Sequence, residues 1–242
     1  MSYMMDRLEE RYKKEVSDDP TLVKMMTDKC NTFLTASEIP NVYLLDRELD
    51  MSKINRKTID FINNISNIFF SSASIGIWVS TYESVGYFLA KAMEEHIYDK
   101  CVKDEYPGNI LYIDTPLLLS DMKKLINRDE NFTSPRLNFS LDVIYHKVYD
   151  ADFIIWNRFN VSESSNYDVN KLFEILLHRY NNCKGNAFVL CGLTPADAIA
   201  KFHQDTLTVM NCKDHFYNFS DVEFPLIENI ETSEEENKVD GQ

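Results

Sequence analysis

Glycine is scarce in this sequence, with six glycines and seven prolines among 242 residues. The sequence contains no internal repeat. No apolar run approaches the roughly 20 residues that span a membrane, and the first residues lack the apolar core of a signal peptide. These absences predict a cytoplasmic protein without membrane contact. The length predicts one domain with at most a small appendage.

Paired cysteines are also missing, because the five cysteines are an odd number and are widely spread. They are Cys30, Cys101, Cys183, Cys191 and Cys212. This pattern predicts free thiols in a reducing compartment. The spacing of Cys212 and His215, with Cys191 and His203, offers a zinc site as the alternative. No Cys-x-x-Cys pair accompanies it, so we expect buried or scattered side chains and no metal.

Basic residues are in deficit, since 25 Lys and Arg face 39 Asp and Glu, for a net charge of −14. An acidic surface repels nucleic acid and disfavours a large DNA-binding face. The most basic stretch is 121–137, and its candidate contacts for single-stranded DNA are Lys123, Lys124, Arg128, Phe132 and Arg136. The alternative for this stretch is an ordinary amphipathic helix and loop. We therefore expect weak single-strand binding at most.

Short apolar runs alternate with helical stretches through most of the chain. The runs predict strands at 75–79, 110–113, 152–156 and 187–191, with a fifth at 214–219. The helices are predicted at 3–16, 20–34, 83–99, 117–127, 140–149, 168–180 and 195–202. Unbroken apolar strands between helices indicate a parallel sheet covered on both faces, hence a three-layer α/β fold.

The predicted organisation has three parts. Residues 1–36 form a helical N-terminal extension, residues 37–220 form the α/β domain, and residues 221–242 form an acidic, disordered tail.

Four segments carry a resemblance to a known family. They are "SEIPNVYLLDRELD" (37–50), "GIWVSTYESVGYFLAKAM" (76–93), "ADFIIWNRFN" (151–160) and "AFVLCGLTPADAI" (187–199). In order and spacing they resemble the DnaC/DnaI/IstB-type AAA+ helicase loaders. The resemblance implies an AAA+/P-loop NTPase-like sheet, a role in DNA replication and a hexameric, DnaB-type replicative helicase, or its loader, as the partner. The composition suggests a phage or mobile-element type.

The chain departs from the family at each position that handles ATP. The P-loop positions are Ser80, Thr81, Glu83, Ser84, Gly86 and Tyr87, and none is the required lysine. Asn157 and Arg158 stand where the Walker-B acids belong, and Gly192 stands at the sensor position. No arginine follows Arg179 to serve as an arginine finger. The resemblance therefore implies a degenerate member without ATPase activity and without a cofactor.

Ser80 and Glu83 have the spacing of a capping box. Their side chains would satisfy the helix N–H groups that hold phosphate in a working P-loop, and the Glu83 carboxylate would repel ATP. We expect a closed turn here.

The N-terminal helix can place Met4, Leu8 and Tyr12 on one face. This face either covers the chain's own core or binds a partner. The predicted function is that of a loader-like adaptor acting through protein contacts. The alternatives are a decoy that inhibits the host helicase or its loader, and an unorthodox ATPase with a cation from Lys91 or a neighbouring subunit.

Overall fold

The computed structural model describes residues 2–40, 56, 60, 74–79, 82–126, 141–159, 166–191 and 216–219. Its helices are α1 (Ser2–Glu15), α2 (Pro20–Ala36), α3 (Tyr82–Val102), α4 (Thr115–Ile126), α5 (Leu141–Asp150) and α6 (Asn166–Asn181). Its strands are β1 (Ser74–Val79), β2 (Ile110–Asp114), β3 (Phe153–Asn157), β4 (Gly185–Cys191) and β5 (Phe216–Phe219). No helix in the described part of the chain is both long and apolar enough to cross a membrane.

The five strands form one sheet in the order β2-β3-β4-β1-β5, and every neighbouring pair is parallel. The sheet is central because β1 and β3 are buried along their whole length. Strands buried on both faces need apolar side chains in succession, which explains the unbroken runs in the sequence. The predicted parallel α/β sheet is thus confirmed.

Alternate residues of each strand point to opposite faces and build two apolar clusters. Ile75 and Ile77 of β1 belong to the cluster shared with α1, α2 and α3. Trp78 of the same strand belongs to the cluster shared with α4, α5 and α6. These two helical layers and the sheet between them make the three-layer architecture.

Helices α1 and α2 pack against α3 and share its apolar cluster. Leu8 is 1% exposed and Tyr12 is fully buried, while Met4 packs at the margin. The prediction that this face binds a partner is therefore corrected: the chain covers it with its own core. The boundary between residues 36 and 37 stays a prediction, and the tail at 221–242 lies outside the described residues.

Charged contacts fix the position of α1 along α3. Arg7 pairs with Glu94, which is nearly buried, and the Arg11 guanidinium binds both carboxylate oxygens of Glu95 at 2.8 Å. The same guanidinium lies 3.7 Å from the ring centroid of Tyr98. Two-pronged and stacked arginine contacts define one orientation of the two helices.

The segment that follows α2 contacts the outer edge of β2. The N–H of Tyr112 donates to the carbonyl of Ser37 at 2.9 Å. A strand edge otherwise presents unsatisfied backbone groups, so this bond covers part of it.

The amino ends of β3 and β4 are joined by the buried side chain of Arg179, from α6. It donates to the Asn186 Oδ1 at 2.7 Å and to three backbone carbonyls, those of Val148, Ala151 and Gly185. Burial lowers its pKa to about 9. The three carbonyls come from the end of α5, the residue after it and the start of β4, so one side chain ties these elements together.

Candidate functional site at the carboxyl edge of the sheet

Open parallel sheets bind ligands beyond the carboxyl ends of their strands. Here β3, β4 and β1 are consecutive in the sheet, so their carboxyl ends are neighbours. This order brings Asn157 and Arg158 to the same edge as the end of β1. Ser80, Thr81 and Gly192 directly follow β1 and β4, but they lie outside the described residues.

The connection from β1 to α3 is short. Strand β1 ends at Val79 and α3 begins at Tyr82, so at most two residues separate them. Positions Glu83, Ser84, Gly86 and Tyr87 consequently lie in the first two turns of α3. Gly86 is buried, whereas the side chains of the other three lie outside the description, as does the predicted capping box.

Val85 and Phe88 explain why this part of α3 sits close to the sheet. They are 1% and 5% exposed and belong to the same apolar cluster as β1. Gly86 between them is buried as well. From Tyr82 onward, the segment that would hold phosphate in a P-loop is thus helical, and Val85, Gly86 and Phe88 of it are buried.

Arg158 follows β3 in a left-handed conformation, with φ of 53°. The next residue fixes the turn, because the Phe159 N–H donates to the Val189 carbonyl at 2.8 Å and its ring is fully buried. A non-glycine residue rarely adopts this conformation. The backbone around Arg158 is therefore held by the packing of its neighbour.

The Arg158 guanidinium pairs with the carboxylate of Asp114, at the end of β2. Asp114 also accepts the Leu117 N–H at 3.2 Å and so satisfies one of the free N–H groups at the start of α4. In the sheet, β2 lies on the side of β3 opposite to β4 and β1. Arg158 therefore points away from the end of β1, where the phosphates of a P-loop ligand would lie.

Asn157 shares a strand face with Phe153 and Ile155, which is the face covered by α1 to α3. Its side chain is 4% exposed, and its Oδ1 has no hydrogen-bond partner among the described residues. Its backbone carbonyl accepts the Thr115 hydroxyl at 2.9 Å. An amide can accept a hydrogen bond but brings no negative charge to balance a metal ion.

The Asp114–Arg158 pair was not found from the sequence. Asp114 directly follows the predicted strand 110–113 and precedes Thr115 and Pro116, and an Asp before a Pro-containing helix start is a capping signal. That signal predicts the cap at α4. The partner, Arg158, is 44 residues away in sequence and becomes visible only once β2 and β3 are paired.

The predicted single-strand contacts are placed only in part. Lys123 and Lys124 lie in the last turn of α4 and are partly buried. Arg128, Phe132 and Arg136 lie outside the described residues. Binding of single-stranded DNA stays a prediction.

The predicted zinc alternative is likewise placed only in part. The described residues contain no cluster of three or more His, Cys, Asp or Glu that could hold a metal. Cys191 lies at the end of β4, while His203, Cys212 and His215 lie outside the description.

A cavity of about 350 Å³ lies beside β2, away from the end of β1. Leu111 and Ile113 form one wall, and Ile144 and Val148 of α5 form another. The ion pair between Glu38 and Lys147 stands at its margin. None of the predicted nucleotide positions lines it.

These features define the class of fold: a three-layer α/β architecture of the AAA+/P-loop NTPase-like type, with a parallel sheet in the order β2-β3-β4-β1-β5. Among solved structures it is similar to one described as the DnaC helicase loader, with a TM-score of 0.54 and 14% identity over 74% of this chain and 99% of that one. A putative primosome component from Streptococcus pyogenes serotype M3 gives a TM-score of 0.49 and 13% identity, over 77% of this chain and 93% of that one.

The sequence itself matches no known family and no curated protein. The expected loader-type fold is therefore confirmed by structure alone. At this level of identity the likeness concerns the fold and assigns no role to individual residues.

Proposed function

We propose that the protein is a replication accessory factor that resembles a replicative-helicase loader and acts through protein contacts without hydrolysing ATP. The absence of ATP hydrolysis is proposed because at most two residues connect β1 to α3. The loader-like role is proposed because the fold is shared with a solved helicase loader.

A P-loop holds phosphate with an eight-residue segment whose backbone N–H groups surround the anion. Two residues cannot supply that ring of donors. The segment 80–87 also lacks the lysine that contacts the β- and γ-phosphates. Loss of both the N–H cradle and the cation removes the main contributions to triphosphate binding.

The Walker-B positions also lack the acidic side chains that would bind Mg²⁺. A Walker-B acid holds Mg²⁺, and Asn157 replaces it with an uncharged amide. Arg158 adds a positive charge next to that position and pairs with Asp114. Neither residue therefore supplies a carboxylate to hold Mg²⁺.

Lys91 is the cation proposed for an unorthodox ATPase. Its ammonium lies 3.1 Å from Glu94, which also pairs with Arg7 of α1. Lys91 is therefore part of the contact between α1 and α3. This arrangement favours the adaptor over the enzyme.

Calorimetric titration with MgATP tests the loss of nucleotide binding. We expect no binding tighter than a dissociation constant of about 100 μM. The double variant Asn157→Asp, Arg158→Glu restores both acids but leaves the short β1–α3 connection unchanged. This variant should still not bind MgATP, because the backbone N–H groups that would hold the phosphates are still absent. Tight binding by the unaltered chain would contradict the proposal.

A DnaB-type hexameric helicase tests the partner. We expect the two proteins to co-elute in size-exclusion chromatography, and we expect an Arg158→Ala variant to co-elute equally well, since the nucleotide edge is not needed. Absence of a complex with the helicase of the native host would refute the assignment. Helicase loading on single-stranded DNA, measured with the same complex, distinguishes a loader from the inhibitory decoy.

A further inference from the structure

The cavity beside β2, the β2 cavity, has apolar walls from three elements. Leu111 and Ile113 come from the strand, Leu118 comes from α4, and Ile144 and Val148 come from α5. The side chains from β2 and α5 are buried. An apolar cavity of about 150 Å³ already accepts benzene, and ligand pockets begin at about 300 Å³. The β2 cavity, with a volume of about 350 Å³, therefore has room for a small molecule with a ring and a short chain.

Charged side chains also line the β2 cavity, and carboxylates are in excess among its described residues. Glu38, Asp114 and Asp121 line it together with one ammonium group, that of Lys147. Lys147 pairs with Glu38, and Arg158 pairs with Asp114 from outside the described lining. Even with Arg158 included, three negative charges face two positive ones. This balance favours a positively charged ligand over a negatively charged one.

The carboxylates lie at different depths. Asp121 is 7% exposed, whereas the side chains of Glu38 and Lys147 are 46% and 40% exposed. A carboxylate with little water around it gains more from a nearby cation than an exposed one does. An amine with an apolar body can therefore satisfy both the walls and the acidic groups of the cavity.

The segment after α2 restricts what can enter the β2 cavity. The Ser37 carbonyl accepts the Tyr112 N–H at the outer edge of β2, at 2.9 Å. Glu38, Ile39 and Pro40 then line the cavity. A peptide that adds a strand to a sheet needs the backbone groups of the edge. Because the chain already occupies part of this edge, a small molecule fits better than a peptide strand.

We propose that the β2 cavity binds a small organic cation, an amine with an apolar body the size of a phenylalkyl group. The body packs against the buried aliphatic side chains, and the ammonium group lies among the carboxylates of the lining. None of the predicted nucleotide positions lines the cavity, so this site is independent of the proposed replication role.

The test uses the full chain and three probes of one shape: phenylpropylammonium, phenylpropanol and phenylpropionate. NMR titration at low salt measures each dissociation constant, and the methyl resonances of Ile113, Ile144 and Val148 report the place of binding. We expect a dissociation constant on the order of 1 mM for the ammonium. The alcohol should bind about threefold more weakly and the carboxylate about tenfold more weakly.

Two variants alter the same ion pair and change the charge of the cavity in opposite directions. Glu38→Gln removes a carboxylate and should weaken ammonium binding about threefold, whereas Lys147→Gln removes the ammonium of the lining and should strengthen it about threefold. Lys184→Gln is the matched control, because it removes the same charge from an ion pair with Asp152 at the amino end of the sheet. It should leave the dissociation constant unchanged.

Leu117→Trp tests whether the probe occupies the cavity. Leu117 lines the cavity and is 38% exposed, so the larger ring can take up the space without displacing a buried side chain. This variant should weaken binding of the ammonium about tenfold. Leu177→Trp makes the same change at an equally exposed position of α6, outside the described lining, and should bind as the unaltered chain does.

Equal affinity for the ammonium and the carboxylate would overturn the proposal, and so would undiminished binding by Leu117→Trp. The absence of methyl shifts at about 10 mM probe would mean that the cavity is not a ligand site. The amide of acetyl-phenylalanyl-lysine presents the same ring and ammonium group on a peptide. Tighter binding of this peptide than of phenylpropylammonium would assign the cavity to a peptide and refute the small-molecule site.

Discussion

An arginine lies beside β3 at each end of the sheet, and the two arginines differ in burial and in the number of groups they bind. At the amino end Arg179 is fully buried and donates to four acceptors. At the carboxyl end Arg158 is 45% exposed in its side chain, has a left-handed backbone and pairs with one carboxylate. The first arrangement is built for stability, and the second has the strained, polar character typical of binding edges.

The difference also extends to the neighbouring amides. At the amino end, Asn186 Oδ1 accepts from both Arg179 and the Trp156 indole N–H, at 2.7 and 3.1 Å. At the carboxyl end, the Asn157 Oδ1 has no partner among the described residues. Buried polar atoms are normally satisfied, so the two amides differ in the same direction as the two arginines.

The largest effect is expected at the amino end. Arg179→Met should lower the free energy of unfolding by about 3–5 kcal/mol, because it removes the hydrogen bonds that one buried guanidinium makes to three backbone carbonyls and to Asn186. Urea denaturation measures the change. Arg158→Met is the matched control and should cost no more than about 1 kcal/mol. Equal losses in the two variants would remove the distinction between the two ends.

The pH dependence of stability is expected to report on His96 of α3. Its ring nitrogen Nε2 lies 3.0 Å from the Pro107 carbonyl, and burial lowers its pKa to about 4 from a usual value of 6.5. The unfolded chain therefore binds a proton at His96 more readily than the folded chain does. The contribution of neutral His96 to the free energy of unfolding is complete above pH 6.5 and is lost as pH falls towards 4. The loss should be on the order of 2–3 kcal/mol.

The variant His96→Gln isolates this contribution from that of the carboxylates. Its stability should fall less steeply between pH 6.5 and 4 than that of the unaltered chain. His178→Gln, the same change at an exposed position of α6, is the matched control. Parallel curves for His96→Gln and the unaltered chain would contradict the assignment.

A smaller effect is expected at the carboxyl end for Asp114→Ala. This variant removes the cap of α4 and the partner of Arg158 together, and should cost about 1–2 kcal/mol in chemical denaturation. Asp114→Asn is the control. It keeps the capping acceptor without the charge and should recover more than half of the loss. A loss equal to that of Asp114→Ala would assign the effect to the ion pair instead.

The smallest effect is expected for Arg158→Gly. Glycine adopts a positive φ without strain, which offsets the loss of a partly exposed ion pair. Thermal melting should therefore place this variant within about 0.5 kcal/mol of the unaltered chain. A loss above about 2 kcal/mol would mean that Arg158 is as structural as Arg179, and the contrast between the two ends would fail.

The sheet could be predicted because its signals are local. The runs around Ile77, Tyr112, Ile155 and Val189 are apolar without interruption, and the structure places a strand on each. The two N-terminal helices were also predicted within two residues of their bounds. Such elements depend on neighbours in sequence, which a pattern can register.

The contacts that depend on distant residues could not be predicted in this way. The pattern of Met4, Leu8 and Tyr12 shows that a helix face is apolar, but it does not show what covers that face. The burial of Arg179 and the pairing of Arg158 with Asp114 depend on the order of the strands. Sequence motifs identified the residues at the carboxyl edge of the sheet and showed that the P-loop lysine is absent. The shortness of the β1–α3 connection required the boundaries of both elements.

The bond between Ser37 and Tyr112 bears on how the protein stays in solution. An outer strand with free backbone groups is a template for strands of other molecules, and such pairing leads to aggregation. Here the chain's own segment after α2 occupies part of the β2 edge. The segment that follows α2 therefore leaves less of this edge open to strand pairing with another copy of the protein.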